Sequence, residues 1–322
     1  MKAFILEKTG NADNFKLIET PDPTPGKGEV LIKHSAIGVN YFDIHFRNGS
    51  YKLDKMPAIL GLEACGRIEK LGEGVTDYKI GERVCYATGG IGAYAEKRVI
   101  NQQYLITPPD SLTDTQVAGV ILKGLLAHTL LFRVYLAATA KRILVHAAAG
   151  GVGQILCSWA KNLGVQIIGT VGSDEKINLA KAAGCDEVIN YAKEDFVQAI
   201  AKITKNEGVG AVYDGVGKDT FQKSLEVLWP MGICISHGEA SGPVPAVYLN
   251  SLLPNSLYIT RPLLALYKAK RVELVVSANE VFKKVEQGII KPNITTYNFS
   301  DLKTAHQKLE SRASQGSIVL TI

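Results

Sequence analysis

Eight residues, HAAAGGVG at positions 146–153, constrain this chain more than any other stretch. They stand between the apolar run KRILV and the segment QILCSWAKNLG. In that segment and the two residues before it, Val152, Ile155, Leu156, Trp159 and Leu163 recur on one helical face. So much bare backbone does not fill a core; it permits a tight turn. Read as Ala148-Ala-Gly150-Gly-Val-Gly153, the stretch is a G-x-G-x-x-G fingerprint with alanine in the first place, set between a strand and a helix. Small residues let the backbone approach a pyrophosphate, and Gly153 lets the helix pack on the strand. The phosphates would meet free N–H groups at the positive end of the helix dipole. No Gly-Lys-Ser/Thr comes after it, which excludes a P-loop.

The residues beyond the fingerprint agree with it. VQIIGTV (165–171) reads as a second buried strand, and Ser173 is expected to cap a helix, SDEKINLAKAAG, ending at Gly184. EVIN, EDFVQAIAKI, AVYDGV, KDTFQKSLEVL and ICISHG continue the alternation, with SLYIT (256–260) as a last strand. Repeated strand–helix units of this kind imply a parallel sheet with helices on both faces. Before residue 120 the character differs. EVLIKHSAIGV, ACGRIEKLG, GERVCYA and AYAEKRVI are short strand-like runs between Gly/Pro turns, as in a small barrel or sandwich. The tail, FSDLKTAHQKLESRA then SIVLTI, reads as a helix and a closing strand that returns to this first domain. The expected fold is therefore α/β, a Rossmann doubly wound sheet inserted in a β-rich domain, with a cleft between them.

Composition excludes several classes. The 322 residues carry a net charge of +5 with no Lys/Arg block, so no nucleic-acid arm is expected. The apolar run at the N-terminus is too short for a secretory signal, and no apolar stretch is read as approaching the length of a membrane span. Five scattered cysteines, Cys65, Cys85, Cys157, Cys185 and Cys234, read as free thiols of a reducing, cytoplasmic setting.

In this fold the residue that reads the adenosine ribose lies about 20 positions past the fingerprint. Here that region is Gly172-Ser-Asp-Glu-Lys176, and the strand end before it offers no carboxylate. Ser173 and Lys176 suit a 2′-phosphate and hence NADPH, while Asp174 and Glu175 stand as first-turn acids that complicate the reading.

The segments ILVHAAAGGVGQILCSWAKNLG, GTVGSDEK, INY, VYDGVG and ESRASQGS together resemble the zinc-free, zeta-crystallin-like quinone oxidoreductases of the medium-chain dehydrogenase/reductase superfamily. So do AIGVNYFDIHFRNGSY, GLEACGRIEKLG, GERVCY, LKGLLAHTLL and YITRP, so the resemblance runs nearly end to end. It implies a GroES-like catalytic domain over 1–123 and 261–322, a Rossmann domain over 124–260, NADPH as cofactor, and a homodimer. It also implies an enzyme that reduces a small-molecule quinone. Reduction of an α,β-unsaturated carbonyl (an enone or alkenal) is the alternative within the fold. A nucleotide-dependent RNA-binding or structural protein is the alternative outside it, and the N-terminal segments argue against a methyltransferase. Zinc relatives place a Cys near the position of Asn40 and a His before the Glu of a G-H-E motif. Here those positions are Asn40 and Leu62, and the loop ATGGIGAYAEK lacks the four cysteines of a structural zinc lobe, so a metal-free site is expected.

By the same resemblance Asn40 and Tyr51 line the nicotinamide and substrate end, with no acid or base assigned. Lys123 faces the cleft; Gly150, Gly151 and Val152 meet the pyrophosphate; Gly172, Ser173 and Lys176 meet the 2′-phosphate. Tyr191 approaches the adenosine, His237 and Gly238 the nicotinamide, and Arg312 reaches the cofactor from the tail. His45 and His237 stand where close relatives carry aromatics. His34, His128, His146 and His306 have no partner spacing and read as structural. A quinone needs no acid–base set, because its reduced oxyanion is stabilised by the ring it forms. Polar groups such as Asn40, Tyr51 or Lys123 would support that charge.

Overall fold

The computed structural model describes residues 1–322, which form two compact units. The first comprises Met1–Leu125, Lys268–Glu286 and Pro292–Ile322; the second comprises Leu126–Tyr267 and Gln287–Lys291.

The first unit is built on the strand Glu29–Val39, whose EVLIKHSAIGV sequence is almost wholly buried. A strand apolar on both faces must be central. It pairs antiparallel with Glu63–Leu71, Lys97–Asn101 and the closing strand Ser317–Thr321, whose Ile318 faces Val39. Register shifts near His34 and Ala36 bend it. The closing strand pairs in turn with Ile294–Asn298, and Glu63–Leu71 with Arg83–Tyr86. The core beneath holds Phe4, Phe15, Tyr94 and Phe299 among its rings. Sequence patterning did not show the hairpin of Lys2–Leu6 with Phe15–Glu19, nor the 16-residue helix Arg271–Glu286.

The second unit carries a six-stranded, all-parallel sheet. From one edge the strands are Tyr258–Thr260, Leu228–Ser236, Val209–Asp214, Arg142–Val145, Gln166–Val171 and Glu187–Asn190. In chain order this is 6-5-4-1-2-3, the doubly wound arrangement, with its switch point between Arg142–Val145 and Val209–Asp214. Ligands of such sheets bind beyond the carboxyl ends of the strands at that point. The turn His146–Gly150 lies there.

One expectation is corrected. The helix Asp114–Thr129 runs on into a wider turn, Leu130–Val134. Together they make 21 residues, within which an 18-residue window has a mean hydropathy of 1.6, long and apolar enough to cross a membrane. The polar residues Lys123, His128 and Arg133 hid its length in the sequence. In the structure 72% of its apolar window is already buried inside the protein, as in a core helix.

Candidate active site

The glycine turn is shaped as a phosphate cradle. Ala147 adopts the left-handed φ of 52°, and the Gly150 N–H closes the turn on the Ala147 carbonyl at 2.8 Å. Gly150 then caps the helix Gly151–Asn162 in extended backbone. A Cβ on Gly153 would stand 2.3 Å from the Ala147 oxygen, so only glycine lets the first helical turn press against the strand end. Ile155, Leu156 and Trp159 bury the other face of that helix. Gly151 and Val152 open its first turn, where backbone N–H groups have no partner within the helix.

At the end of the second strand, Ser173 is extended and makes no side-chain capping bond, which corrects the cap expected of it. A short 3-10 turn, Asp174–Lys176, precedes a helix of six residues, Ile177–Ala182. Of the acids that complicated the sequence reading, Asp174 is paired here. Asp174 accepts from Asn190 Nδ2 at 2.6 Å and is paired with Lys193, and these partners hold its carboxyl below the usual range. Its charge is thereby answered on the far side, toward the next strand. Tyr191 leaves that strand with its N–H on the Val171 carbonyl, and its hydroxyl stands 3.1 Å from where a Cβ of Gly172 would be. Gly172, Ser173, Lys176 and Tyr191 thus share one strand end.

Beyond the fourth strand, buried Asp214 accepts from the N–H groups of Val216 and Gly217 and from the Thr220 hydroxyl. It fixes the turn on which His237 lies. The His237 N–H bonds the Asp214 carbonyl at 2.8 Å, and its ring packs over Gly215. Gly238 fits against the Gly215 backbone, where a Cβ would come within 2.7 Å of its oxygen. Burial pushes the His237 imidazole down to about 4, so the ring is neutral near pH 7.

The first unit holds its own cluster, centred on a residue that motif reading passed over. Asn40 ends the central strand in extended backbone and caps the helix Tyr41–Asn48. Its Nδ2 donates to Glu63 Oε1 at 2.8 Å. The Lys123 ammonium reaches the same oxygen at 3.0 Å, and the Leu122 N–H donates to Oε2 at 2.8 Å. Glu63 is fully buried; Asn40 and Lys123 are 5% and 6% exposed. Behind them Asp43 Oδ2 accepts from the Asn40 N–H at 2.9 Å and the Tyr94 hydroxyl at 2.7 Å, and His306 Nε2 meets that hydroxyl at 3.0 Å. Burial pushes the Asp43 carboxyl up to about 7, against those two hydrogen bonds. Sequence reading missed Glu63, Asp43, Tyr94 and His306 as a set. The available signal was two acids set among residues otherwise apolar enough for a core.

Tyr51 lies in an aromatic nest beside this cluster, with its ring centroid 4.9 Å from Phe42, 4.8 Å from His45 and 5.9 Å from Phe46. The His45 ring also meets Tyr41 at 5.4 Å, and the Tyr41 phenol is hydrogen-bonded by Arg312. Arg312 holds a left-handed φ of 57° just past the last helix. It stands beside the residue following Asn40. Of the other histidines, His34 bridges the Ala95 carbonyl and Tyr86, and His146 bridges Thr170 and Ser224.

The donor set does not suit zinc. Glu63 already carries an ammonium, Asn40 turns its N–H end to Glu63, and Leu62 offers no donor. Cys65 and Cys85 are buried with their thiols pushed up, chiefly by burial. No three His, Cys, Asp or Glu side chains cluster as a metal would need.

Comparison with known proteins agrees with this geometry. The sequence model of the family described as zinc-binding dehydrogenase matches residues 151–276, and that of the alcohol dehydrogenase GroES-like domain matches residues 26–110. A quinone oxidoreductase of Pseudomonas aeruginosa is 42% identical over 298 residues, covering 92% of each chain. A 2-haloacrylate reductase of a Burkholderia species is 38% identical over 326 residues, covering 99% of this chain and 98% of its own. The crystal structure of Escherichia coli quinone oxidoreductase complexed with NADPH superposes with a TM-score of 0.98 at 39% identity, covering all of both chains.

Proposed function

This chain belongs to the quinone oxidoreductase family of medium-chain dehydrogenases/reductases, and from that membership we propose that it is an NADPH-dependent, zinc-independent reductase of quinones. The observation that carries the cofactor is the cradle at Gly150–Gly153, where a Cβ on Gly153 would meet backbone at 2.3 Å, together with a strand end where Asp174 is paired with Lys193. Ser173 and Lys176, at that strand end, are the groups we assign to a 2′-phosphate. Gly150, Gly151 and Val152 hold the pyrophosphate; Gly172 and Tyr191 line the adenosine; His237, Gly238 and Arg312 complete the cofactor contacts.

When bound, NADPH supplies the reducing equivalents. The chain supplies position and charge. Tyr51, braced by Phe42, His45 and Phe46, offers a flat face to a quinone ring. The Lys123 ammonium, fixed by Glu63, stands ready to stabilise negative charge developing on the acceptor oxygen. A conjugated enone develops the same charge on its carbonyl oxygen. The 38% identity with a 2-haloacrylate reductase makes that the second acceptor class.

We further propose a homodimer through the edge strand Tyr258–Thr260. Tyr258 is 60% exposed there, and Tyr248, Leu249 and Leu253 of the preceding turn are more so.

The test is oxidation of NADPH or NADH in parallel, with a naphthoquinone and a simple enone as acceptors. Selective use of NADPH with the quinone supports this reading. Turnover of the enone alone moves the protein to the enone reductases. Equal use of NADH refutes the roles of Ser173 and Lys176, and absence of turnover with either acceptor refutes the enzyme.

A further inference from the structure

We propose that Glu63 is a positioning residue: its carboxylate fixes the Asn40 carboxamide with Oδ1 as the presented group and holds the Lys123 ammonium beside it. The inference rests on the reductase reading above and assigns the duties within it.

The argument is one of hydrogen-bond inventory. Glu63 Oε1 receives Asn40 Nδ2 at 2.8 Å and Lys123 Nζ at 3.0 Å, while Oε2 receives the Leu122 N–H at 2.8 Å. A carboxylate is an acceptor only, so the Asn40 amide must turn its nitrogen inward, whichever way the side chain would otherwise settle. The Asn40 N–H is tied separately to Asp43, which fixes the backbone from which the side chain springs. The end that Asn40 offers is then its carbonyl oxygen, which lies toward the Asp43 N–H as in a capping box and keeps a second lone pair for an N–H or O–H of the bound nucleotide. Support of the oxyanion falls to Lys123, whose charge Glu63 holds in a nearly dry setting. A buried ion pair of this kind is costly to assemble, so its retention here points to orientation rather than stability.

The surroundings are cut to fit Glu63. Gly38 lies opposite it in the sheet register, and a Cβ on Gly38 would fall 2.2 Å from Glu63 Oε1. The central strand thus gives up a side chain at the one place where the carboxylate must pass beneath Asn40.

The test is a swap. In Glu63→Gln one amide oxygen, with two lone pairs, faces three donors, so Asn40, Lys123 or the Leu122 N–H must lose its acceptor; kcat should fall roughly 10- to 100-fold, the scale of a misplaced group. Asn40→Asp alone sets two carboxylates together and should lose as much. The double variant Asn40→Asp/Glu63→Gln reverses the donor and acceptor while keeping the net charge and an acceptor oxygen on residue 40. It should recover kcat to within about fivefold of wild type, a coupling that residues in one network are expected to show. The Kd for NADPH, read from nucleotide fluorescence, should rise in each single variant that melts cooperatively and return toward the wild-type value in the double variant. Full kcat in Glu63→Gln, or a double variant no better than the singles, overturns the assignment. Should the variants fail to fold, a crystal structure of the wild-type NADPH complex decides. Asn40 Nδ2 kept on Glu63 with Oδ1 on a ligand donor upholds the assignment; Nδ2 on the ligand overturns it. Wild-type protein that oxidises NADPH with neither acceptor defeats the functional reading itself, an outcome distinct from all of these.

Discussion

Replacing Asp43 by Asn should change how the stability of this protein depends on pH. Asp43 is fully buried, and its carboxyl titrates near 7 because burial disfavours the charge more than Tyr94 and the Asn40 N–H favour it. Nearby Glu63 pushes it further up, and Lys123 pulls it back. In the unfolded chain the same group titrates near 3.9. Between those values the folded state holds a proton that the unfolded state has released. Stability from this residue is therefore full below about pH 4 and is lost as pH rises to 7. A shift of about three units at 1.36 kcal/mol each gives roughly 4 kcal/mol, as an order of magnitude. Asparagine mimics the protonated acid, since its oxygen still accepts from Tyr94 and Asn40, and it does not titrate. The assay is urea unfolding of both proteins from pH 4.5 to 8. The two stabilities should agree at the acid end and diverge upward, with the variant the more stable by several kcal/mol at pH 8. Subtraction removes the opposing trend of His34, His237 and His306, whose imidazoles burial holds low in both proteins. A difference that stays flat across the range would refute the argument that Asp43 is buried as a weak acid.

Three other outcomes are expected. Gly153→Ala forces a Cβ to 2.3 Å from the Ala147 oxygen, so it should cost about 1–3 kcal/mol in a denaturant titration and weaken NADPH binding in calorimetry. Lys176→Ala should raise the KM for NADPH by roughly tenfold or more, the worth of a charge-assisted hydrogen bond, while leaving that for NADH near its starting value; equal effects on both would dismiss a 2′-phosphate contact. Tyr258→Asp on the exposed edge strand should shift the species seen in light scattering from dimer to monomer, with the melting curve of the second unit little changed.

The second unit was the more legible in the sequence, and the reason is physical. EVIN at 187–190 and the strand ends around RILV and VYD are written in local apolar runs bounded by turns, and such runs can be read without knowing what packs against them. The glycine turn is legible for the same reason, since its demands are met by the backbone itself. Arg271–Glu286 escaped because its buried residues, Leu274, Ser277, Ala278, Val281 and Phe282, include two small ones that carry little hydrophobic signal. The Glu63 cluster escaped for another reason. Asn40, Glu63 and Lys123 are distant in sequence; strand pairing at Gly38–Glu63 brings Asn40 to the carboxylate, and the packing of the helix Asp114–Thr129 brings Lys123. Ser173 shows the opposite error, a residue with the chemistry of a cap whose side chain caps nothing here.

The closing strand has a consequence for the order in which the chain acquires structure. Ile318 pairs with Val39 and Thr321 with Ala36, so the central strand of the first unit waits for residues 317–321 to be synthesised. The second unit lies almost wholly in one continuous stretch, Leu126–Tyr267, and its sheet closes from strands within that stretch. During synthesis the nucleotide-binding sheet therefore has all its strands while the first unit still has an open edge along 36–39 of its central strand, a hydrogen-bonding row exposed to any passing strand. A ribosome stalled before residue 317 would carry a formed dinucleotide fold joined to an aggregation-prone, unfinished partner.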